Sequence, residues 1–253
     1  MNLLSDALIK PEWPVPPHIR SLLTTRNGGV SQTPYLSLNL GDHVGDEPSQ
    51  VLANRALLRT YLPAEPHWLK QIHSAKVSTP DEPLQEADAI VSNRCDDVLA
   101  IMTADCLPVL FTNTSGTLVG AAHAGWRGLC SGVLENTVLK LQVLEPNLMP
   151  SDIMVWLGPA IGPDAFEVGQ DVLDAFMDSS FSFPENAFVP IAGKSGKYLA
   201  NIYLLACCCL EAVGVSNVYG GNFCTVTQSD QFFSYRRDGI TGRFASLIWI
   251  AKS

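Results

Sequence analysis

Three side chains in the first half of the chain are of types that bind transition metals. His73 lies in the segment Gln-Ile-His-Ser, Cys106 in Ala-Asp-Cys-Leu-Pro, and His123 in Ala-His-Ala-Gly-Trp-Arg-Gly. Two imidazoles and one thiolate suit a borderline-soft ion such as zinc, and a set of three ligands leaves a fourth position open. A water bound at that position can reach a pKa near about 7. The residue types therefore predict a catalytic metal site.

The spacing of these residues alone does not establish that they bind a metal. His73 and Cys106 are 33 positions apart, and Cys106 and His123 are 17 positions apart. No short ligand motif joins them, so only the fold can bring them together. The alternative is that both histidines are hydrogen-bonded core residues and that Cys106 is a small buried apolar side chain. On spacing alone, this alternative is the more common outcome.

The elements that must position the three residues are short apolar runs. Each residue lies at the end of one run, and strand ends are where a rigid scaffold presents reactive groups. Strands are predicted over residues 19–25, 67–73, 89–92, 98–102, 107–112, 117–122, 153–157 and 244–250. Helices are predicted over residues 48–61, 129–144, 171–177 and 199–213. Because loops follow many of the strands, the pattern favours an α+β layered fold over a doubly wound parallel sheet.

Length and composition limit the domain organisation and the partners. The 253 residues contain no Ser/Gly-rich or charged linker, so we predict a single domain over residues 1–253 with an irregular N-terminal arm at 1–18. The net charge of −9 and the lack of a basic stripe argue against nucleic acid and anionic membranes as partners. The apolar runs are too short to span a bilayer, and no signal-peptide pattern is present. With seven cysteines outside any disulfide spacing, we expect a cytoplasmic protein.

Two segments rich in arginine and glycine could bind an anion in this acidic chain. Arg26 precedes the pair Gly28 and Gly29, and three arginines, Arg236, Arg237 and Arg243, lie in a turn near the C-terminus. Guanidinium groups bind phosphate with paired hydrogen bonds. The alternative is a solvated turn in which the arginines pair with a neighbouring aspartate.

Seven segments together resemble the YfiH family of purine nucleoside phosphorylases, also known as the multicopper polyphenol oxidase or laccase-domain family. The segments are TRNGGVSQTPYLSLNLGDHVGD, KQIHSAKV, ADAIVS, MTADCLPVLF, AAHAGWRGL, LGPAIGPDAFEVGQDV and FFSYRRDGITGRFASLIWI. No single segment is specific, but jointly they run from Thr24 almost to the C-terminus. The resemblance implies the layered αββα sandwich of the CNF-toxin and YfiH type.

The resemblance also implies a metal and several activities. His73, Cys106 and His123 fall on the family's zinc ligands. Copper is the other metal that the family's names suggest, although five histidines are too few for a multicopper oxidase. The implied activities are phosphorolysis of adenosine, inosine, guanosine and methylthioadenosine, and hydrolytic deamination of adenosine. Some members are described as editing factors that remove a wrongly incorporated L-serine from a cell-wall precursor.

We therefore expect a zinc-dependent enzyme acting on a purine nucleoside and phosphate. Its catalytic residues are expected to be His73, Cys106, His123 and Asp105, the last of which either moves a proton or orients a ligand. Phosphate and substrate contacts are predicted for Arg26, Asn39, His43, Arg236 and Arg237. Three alternatives stay open. The first is a cysteine-type amidase that edits cell-wall precursors containing L-serine, with Cys106 as nucleophile. The second is a copper-dependent polyphenol oxidase, and the third is a partner-binding protein with a structural metal.

Overall fold

Strands outnumber helices in the computed structural model, which describes residues 7–82, 86–179 and 182–252. The strands are β1 (Leu8–Ile9), β2 (Ile19–Thr24), β3 (Pro66–Trp68), β4 (Val77–Ser78), β5 (Ala89–Ser92), β6 (Val98–Thr103), β7 (Leu107–Asn113), β8 (Val119–Ala124), β9 (Ile153–Leu157), β10 (Glu167–Gly169), β11 (Phe188–Pro190), β12 (Lys197–Ala200), β13 (Asn217–Gly220) and β14 (Phe244–Ile250). The helices are α1 (Pro48–Arg59), α2 (Trp126–Cys130), α3 (Val133–Leu144), α4 (Gln170–Met177), α5 (Ile202–Ala212) and α6 (Tyr235–Asp238).

Two large sheets lie at the centre of the fold. The first has the strand order β1-β2-β14-β6-β3, and the second has the order β13-β9-β7-β8-β5-β4. A small third sheet has the order β10-β12-β11. Every residue of β6, β7, β8, β9 and β14 is buried. These strands are mostly apolar, as is expected where both faces of a sheet are covered.

The buried side chains fall into three clusters, which mark the spaces between four layers. Leu58 of α1 packs with Leu247 in the space between that helix and the first sheet. Leu99 and Leu110 share the space between the two sheets. Leu141 of α3 belongs to the cluster between the second sheet and helices α3 and α5. The layers are therefore helix, sheet, sheet and helix, and the predicted αββα sandwich of α+β class is confirmed.

Three predicted element boundaries are wrong for identifiable reasons. The strand predicted over 67–73 ends at Trp68, because the chain then turns toward a buried carboxylate described below. The helix predicted from residue 199 begins at Ile202, since Lys197–Ala200 forms a strand and the Asn201 side chain caps the helix. The helix predicted over 129–144 is divided at Gly132, whose φ of 85° is left-handed.

The N-terminal arm is not wholly irregular. Leu8 and Ile9 pair antiparallel with β2 and extend the first sheet. Residues 1–6 of the predicted arm lie outside the described part of the chain. None of the helices in the described ranges has the length and apolarity needed to cross a bilayer.

Candidate metal centre

The structure brings His73, Cys106 and His123 together at one end of the second sheet. One ligand atom from each lies within 4.8 Å of the others, and the two imidazole ring centroids are 4.7 Å apart. Zinc binds histidine nitrogen at about 2.1 Å and cysteine sulfur at about 2.3 Å. Small side-chain movements therefore suffice for one ion to contact all three. Within the described ranges, this is the one group of three or more such donors close enough to share an ion.

Strand pairing explains how Cys106 and His123 meet. His123 is the penultimate residue of β8, and Cys106 directly precedes β7. The two strands are antiparallel, with Pro108 opposite His123 and Leu107 opposite Ala124. The start of one strand and the end of the other therefore lie side by side. His73 reaches the same place from the loop between β3 and β4, where its φ of 59° is left-handed, a conformation that few non-glycine residues adopt.

The buried carboxylate of Asp88 links two of the three donors. Its Oδ1 accepts hydrogen bonds from the His123 ring Nδ1 at 2.8 Å and from the His73 backbone N–H at 2.9 Å. Its Oδ2 accepts from the backbone N–H and the hydroxyl of Ser74 and, at 3.3 Å, from the Ile72 N–H. With Nδ1 bound to Asp88, His123 presents Nε2 to a metal, as in carboxylate–histidine–metal sites.

Asp88 has no role in the sequence-based prediction of the site. It lies in the segment Ala-Asp-Ala-Ile-Val-Ser, directly before β5. A carboxylate next to a fully buried strand is the one local signal that could have found it, because such a charge must be paired or hydrogen-bonded.

The electrostatics of the donors follow from this arrangement. Burial raises the pKa of Asp88, but hydrogen bonds from His123 and Ser74 outweigh it and lower the pKa to about 2. Burial lowers the pKa of His123, but the neighbouring Cys106 and Asp88 raise it to about 9. Burial and the nearby His123 lower the pKa of His73. His73 is therefore neutral near pH 7, whereas a metal must displace a proton from His123 to bind it.

The donor set opens into a cavity of about 480 Å³, a size typical of small-molecule sites. One part of the wall is apolar or aromatic and includes Trp126, Phe166 and Tyr235. Another part carries the guanidinium groups of Arg127, Arg236 and Arg243. The cavity can therefore accept a planar apolar group and an anion beside the metal donors.

Three further predicted residues line the cavity, namely His43, Asp105 and Arg236. Both carboxylate oxygens of Asp105 are already engaged, one by the Thr225 hydroxyl and one by the Arg236 backbone N–H, each at 2.6 Å. Asp105 has a left-handed φ of 93° and directly precedes Cys106. Its contacts favour the orienting role over proton transfer.

Three predicted phosphate-binding residues lie away from the cavity. Arg26 donates to two backbone carbonyls. Arg237 donates to three backbone carbonyls and pairs with Asp238. Asn39 is fully buried, and its amide nitrogen donates to Asp46. These side chains use their hydrogen bonds to hold loops together, so the geometry does not support phosphate binding by them.

Comparison with known proteins identifies the family. Residues 20–251 match the family described as multi-copper polyphenol oxidoreductase laccase. The chain belongs to this laccase-like family. A Haemophilus influenzae relative named purine nucleoside phosphorylase is 52% identical over 247 residues, covering 95% of this chain and 98% of the relative. The Escherichia coli K12 relative named purine nucleoside phosphorylase YfiH is 51% identical over 248 residues, covering 96% and 98%.

Solved structures of similar proteins have the same fold. A crystal structure of a Neisseria meningitidis protein matches with a TM-score of 0.88 at 49% identity, covering 97% of this chain and 100% of that one. YlmD from Geobacillus stearothermophilus matches with a TM-score of 0.84 at 33% identity, covering 93% of each chain. The resemblance to YfiH proteins is thus confirmed, and the names of the relatives support an enzyme.

The donors of this laccase-like chain fit one metal ion better than several. The whole sequence has five histidines, and two of them already belong to the single donor group found in the described residues. A cluster of several copper ions needs more imidazole ligands than remain. The His-Cys-His set itself fits either a zinc or a single copper ion.

Proposed function

We propose that this protein is a zinc-dependent purine nucleoside phosphorylase. The observation that carries the proposal is the three-donor set that opens into a cavity with an aromatic wall and three arginines. A set of three protein ligands with an open position is typical of catalytic rather than structural zinc. The names of relatives that are 51–52% identical over nearly the whole chain add independent support.

The aromatic wall suits a purine base. Trp126, Phe166 and Tyr235 present rings to the cavity, and planar bases stack on aromatic faces. The Arg127 guanidinium stacks on the Trp126 ring, 4.3 Å from its centroid, and so restrains one of these rings. These rings line the same cavity as the metal donors, so a base stacked on them would lie in the same cavity as the metal.

The chain's own residues prepare the reaction in two ways. Asp88 orients the imidazole of His123 and holds the backbone of His73, so that one ring and the loop of the other donor are positioned before a metal binds. The arginines of the cavity supply positive charge for phosphate, which must lie in line with the C1′–N9 bond that it cleaves. A zinc ion, when bound, would act as a Lewis acid and lower the pKa of a water at its open position.

Deamination of adenosine is a second proposed activity. The open position that favours it is the same one, because hydrolytic deaminases use a zinc-activated water against the purine C6. The ligand types of this chain, histidine and cysteine, match those of known zinc deaminases.

Incubation of the purified protein with adenosine and with inosine, each with and without phosphate, tests both activities. Phosphorolysis predicts free base and ribose 1-phosphate only when phosphate is present, and deamination predicts inosine from adenosine without phosphate. Activity should disappear on chelation and return with zinc. The absence of both free base and inosine would overturn the proposal, and a metal-free protein that cleaves a seryl muropeptide would favour the amidase alternative.

A further inference from the structure

The three arginines that face the cavity lack acidic partners. Within the described ranges, Arg127, Arg236 and Arg243 form no ion pair with a carboxylate, whereas Arg55 and Arg94 both do. The chain carries nine more acidic than basic residues, so acidic partners are abundant elsewhere. Unpaired guanidinium groups that converge on one cavity indicate an anionic ligand.

The three arginines differ in how many of their guanidinium nitrogens already form hydrogen bonds. Arg236 is exposed and donates from Nη1 to the Ala165 and Glu167 carbonyls. Arg127 is exposed and stacks on its neighbouring tryptophan. Arg243 is half-buried, and only its Nη1 donates to carbonyls, those of Thr241 and Gly242. Its Nε and Nη2 form no hydrogen bond within the described part of the chain, and these two nitrogens make up the edge that binds an oxyanion with two parallel hydrogen bonds.

The stem of Arg243 is held so that this edge stays in place. Its backbone N–H donates to the Asn39 side chain at 2.8 Å. A Cβ at Gly41 would lie 2.8 Å from the Arg243 Cγ, so only glycine leaves room for the stem there. Burial lowers the pKa of Arg243, while the nearby Cys106 and Asp105 raise it. Arg243 lines the same cavity as the three metal donors.

We propose that Arg243 is the principal phosphate-binding residue of the cavity, with Arg127 as a second cation. The Nε and Nη2 edge of Arg243 binds two oxygens of inorganic phosphate beside the metal donors. This inference rests on the proposed phosphorolysis and adds the residue that holds the second substrate. Asn39, which lies away from the cavity, acts as a positioning residue for Arg243 rather than as a phosphate ligand.

Three variants of the zinc-loaded full chain test the proposal. Arg243→Gln removes the charge and the paired donors, and Arg243→Lys keeps the charge without the paired geometry. Arg94→Gln is the matched control, because it removes one positive charge at an exposed turn outside the cavity. Calorimetric titration with inorganic phosphate at constant ionic strength gives the affinity, and steady-state assays give the KM of phosphate and of inosine.

We expect Arg243→Gln to weaken phosphate binding and raise the phosphate KM by at least about tenfold, with the inosine KM changed by less than about threefold. Arg243→Lys should be intermediate, and Arg94→Gln should match the wild type. Circular dichroism and zinc content show whether each variant is folded. Should Arg243→Gln not fold, the lysine variant decides, since it must also weaken phosphate binding.

Two outcomes separate this inference from the proposed function. Wild-type phosphate affinity in a folded Arg243 variant, or no phosphate binding by the wild type, overturns the role of Arg243 even if phosphorolysis occurs. Phosphate binding that depends on Arg243, without any ribose 1-phosphate formed, confirms the anion site and overturns the phosphorylase.

Discussion

The Asp88→Asn substitution would remove the negative charge of the carboxylate and one of its two acceptor oxygens. The metal centre depends on the charge and on that oxygen. The carboxylate is fully buried and accepts five hydrogen bonds, from Ile72, His73, Ser74 twice, and His123. Asparagine has nearly the same shape, but one of its two terminal groups is an NH₂ donor. In either orientation of the amide, the N–H or O–H groups on one side face the NH₂ group, which is itself a donor and cannot accept their hydrogen bonds.

The magnitude follows from which groups lose their acceptor. With the amide oxygen on the side of His123, the backbone N–H groups of Ile72 and Ser74 are left unpaired. Ile72 is 40% exposed, so water can take the place of the acceptor that its N–H loses. An unsatisfied donor in a less exposed position, such as the Ser74 N–H, costs about 1–3 kcal/mol, and the metal-free Asp88→Asn variant should lose about that much unfolding free energy. Loss of the carboxylate behind a ligating histidine lowers metal affinity about 10–100-fold, which is about 1.4–2.7 kcal/mol of binding free energy.

Two measurements and one control test this reasoning. Competition with a chromophoric chelator gives the zinc affinity, and urea unfolding of the metal-stripped protein gives the stability. Asp97→Asn is the matched control, because Asp97 also accepts from a hydroxyl and a cation, those of Ser92 and Arg94, but has no bond to a metal donor. The control should keep wild-type zinc affinity. Zinc affinity within about twofold of wild type in Asp88→Asn would refute the role assigned to this carboxylate.

Two further substitutions test the donors and the cavity wall. Gly125→Ala should lower zinc affinity by about tenfold or more, because a Cβ would lie 2.7 Å from the His73 Nδ1 and 3.2 Å from the Cys106 Sγ. The φ of −66° at this position suits alanine, so the effect would come from these contacts and not from the backbone. Unchanged zinc affinity in chelator competition would contradict this prediction. Tyr235→Ala removes a side chain at the cavity from a residue that is 62% exposed. The unfolding free energy should therefore change by less than about 0.5 kcal/mol, while the KM of the nucleoside should rise severalfold. An unchanged KM would show that the base does not contact this ring.

The local sequence pattern is sufficient to predict the positions of strands that are buried on both faces. Strands β7, β9 and β14 are mostly apolar, and their predicted positions agree with the structure within a residue. The small sheet of β10, β11 and β12 was not predicted, since its strands are short and partly exposed. Such strands form because a partner strand is available, which a local pattern does not encode.

At the site, the sequence indicates the types of the functional residues but not their geometry. The residue types of His73, Cys106 and His123 alone predict a metal site. The left-handed backbone of His73 did not follow from its sequence, because it depends on hydrogen bonds to Asp88, 15 positions away.

Among the arginines, sequence identified the segment but not which side chain is free. Arg237 and Arg243 lie in the same segment. Arg237 donates to three backbone carbonyls, whereas Arg243, which lines the cavity, has two nitrogens without a hydrogen bond to the described residues. The difference arises from loops that are distant in sequence, since Asn39 and Gly41 fix only Arg243. An arginine's type therefore indicates that an anion site is possible, whereas its remaining unpaired donors indicate where the anion binds.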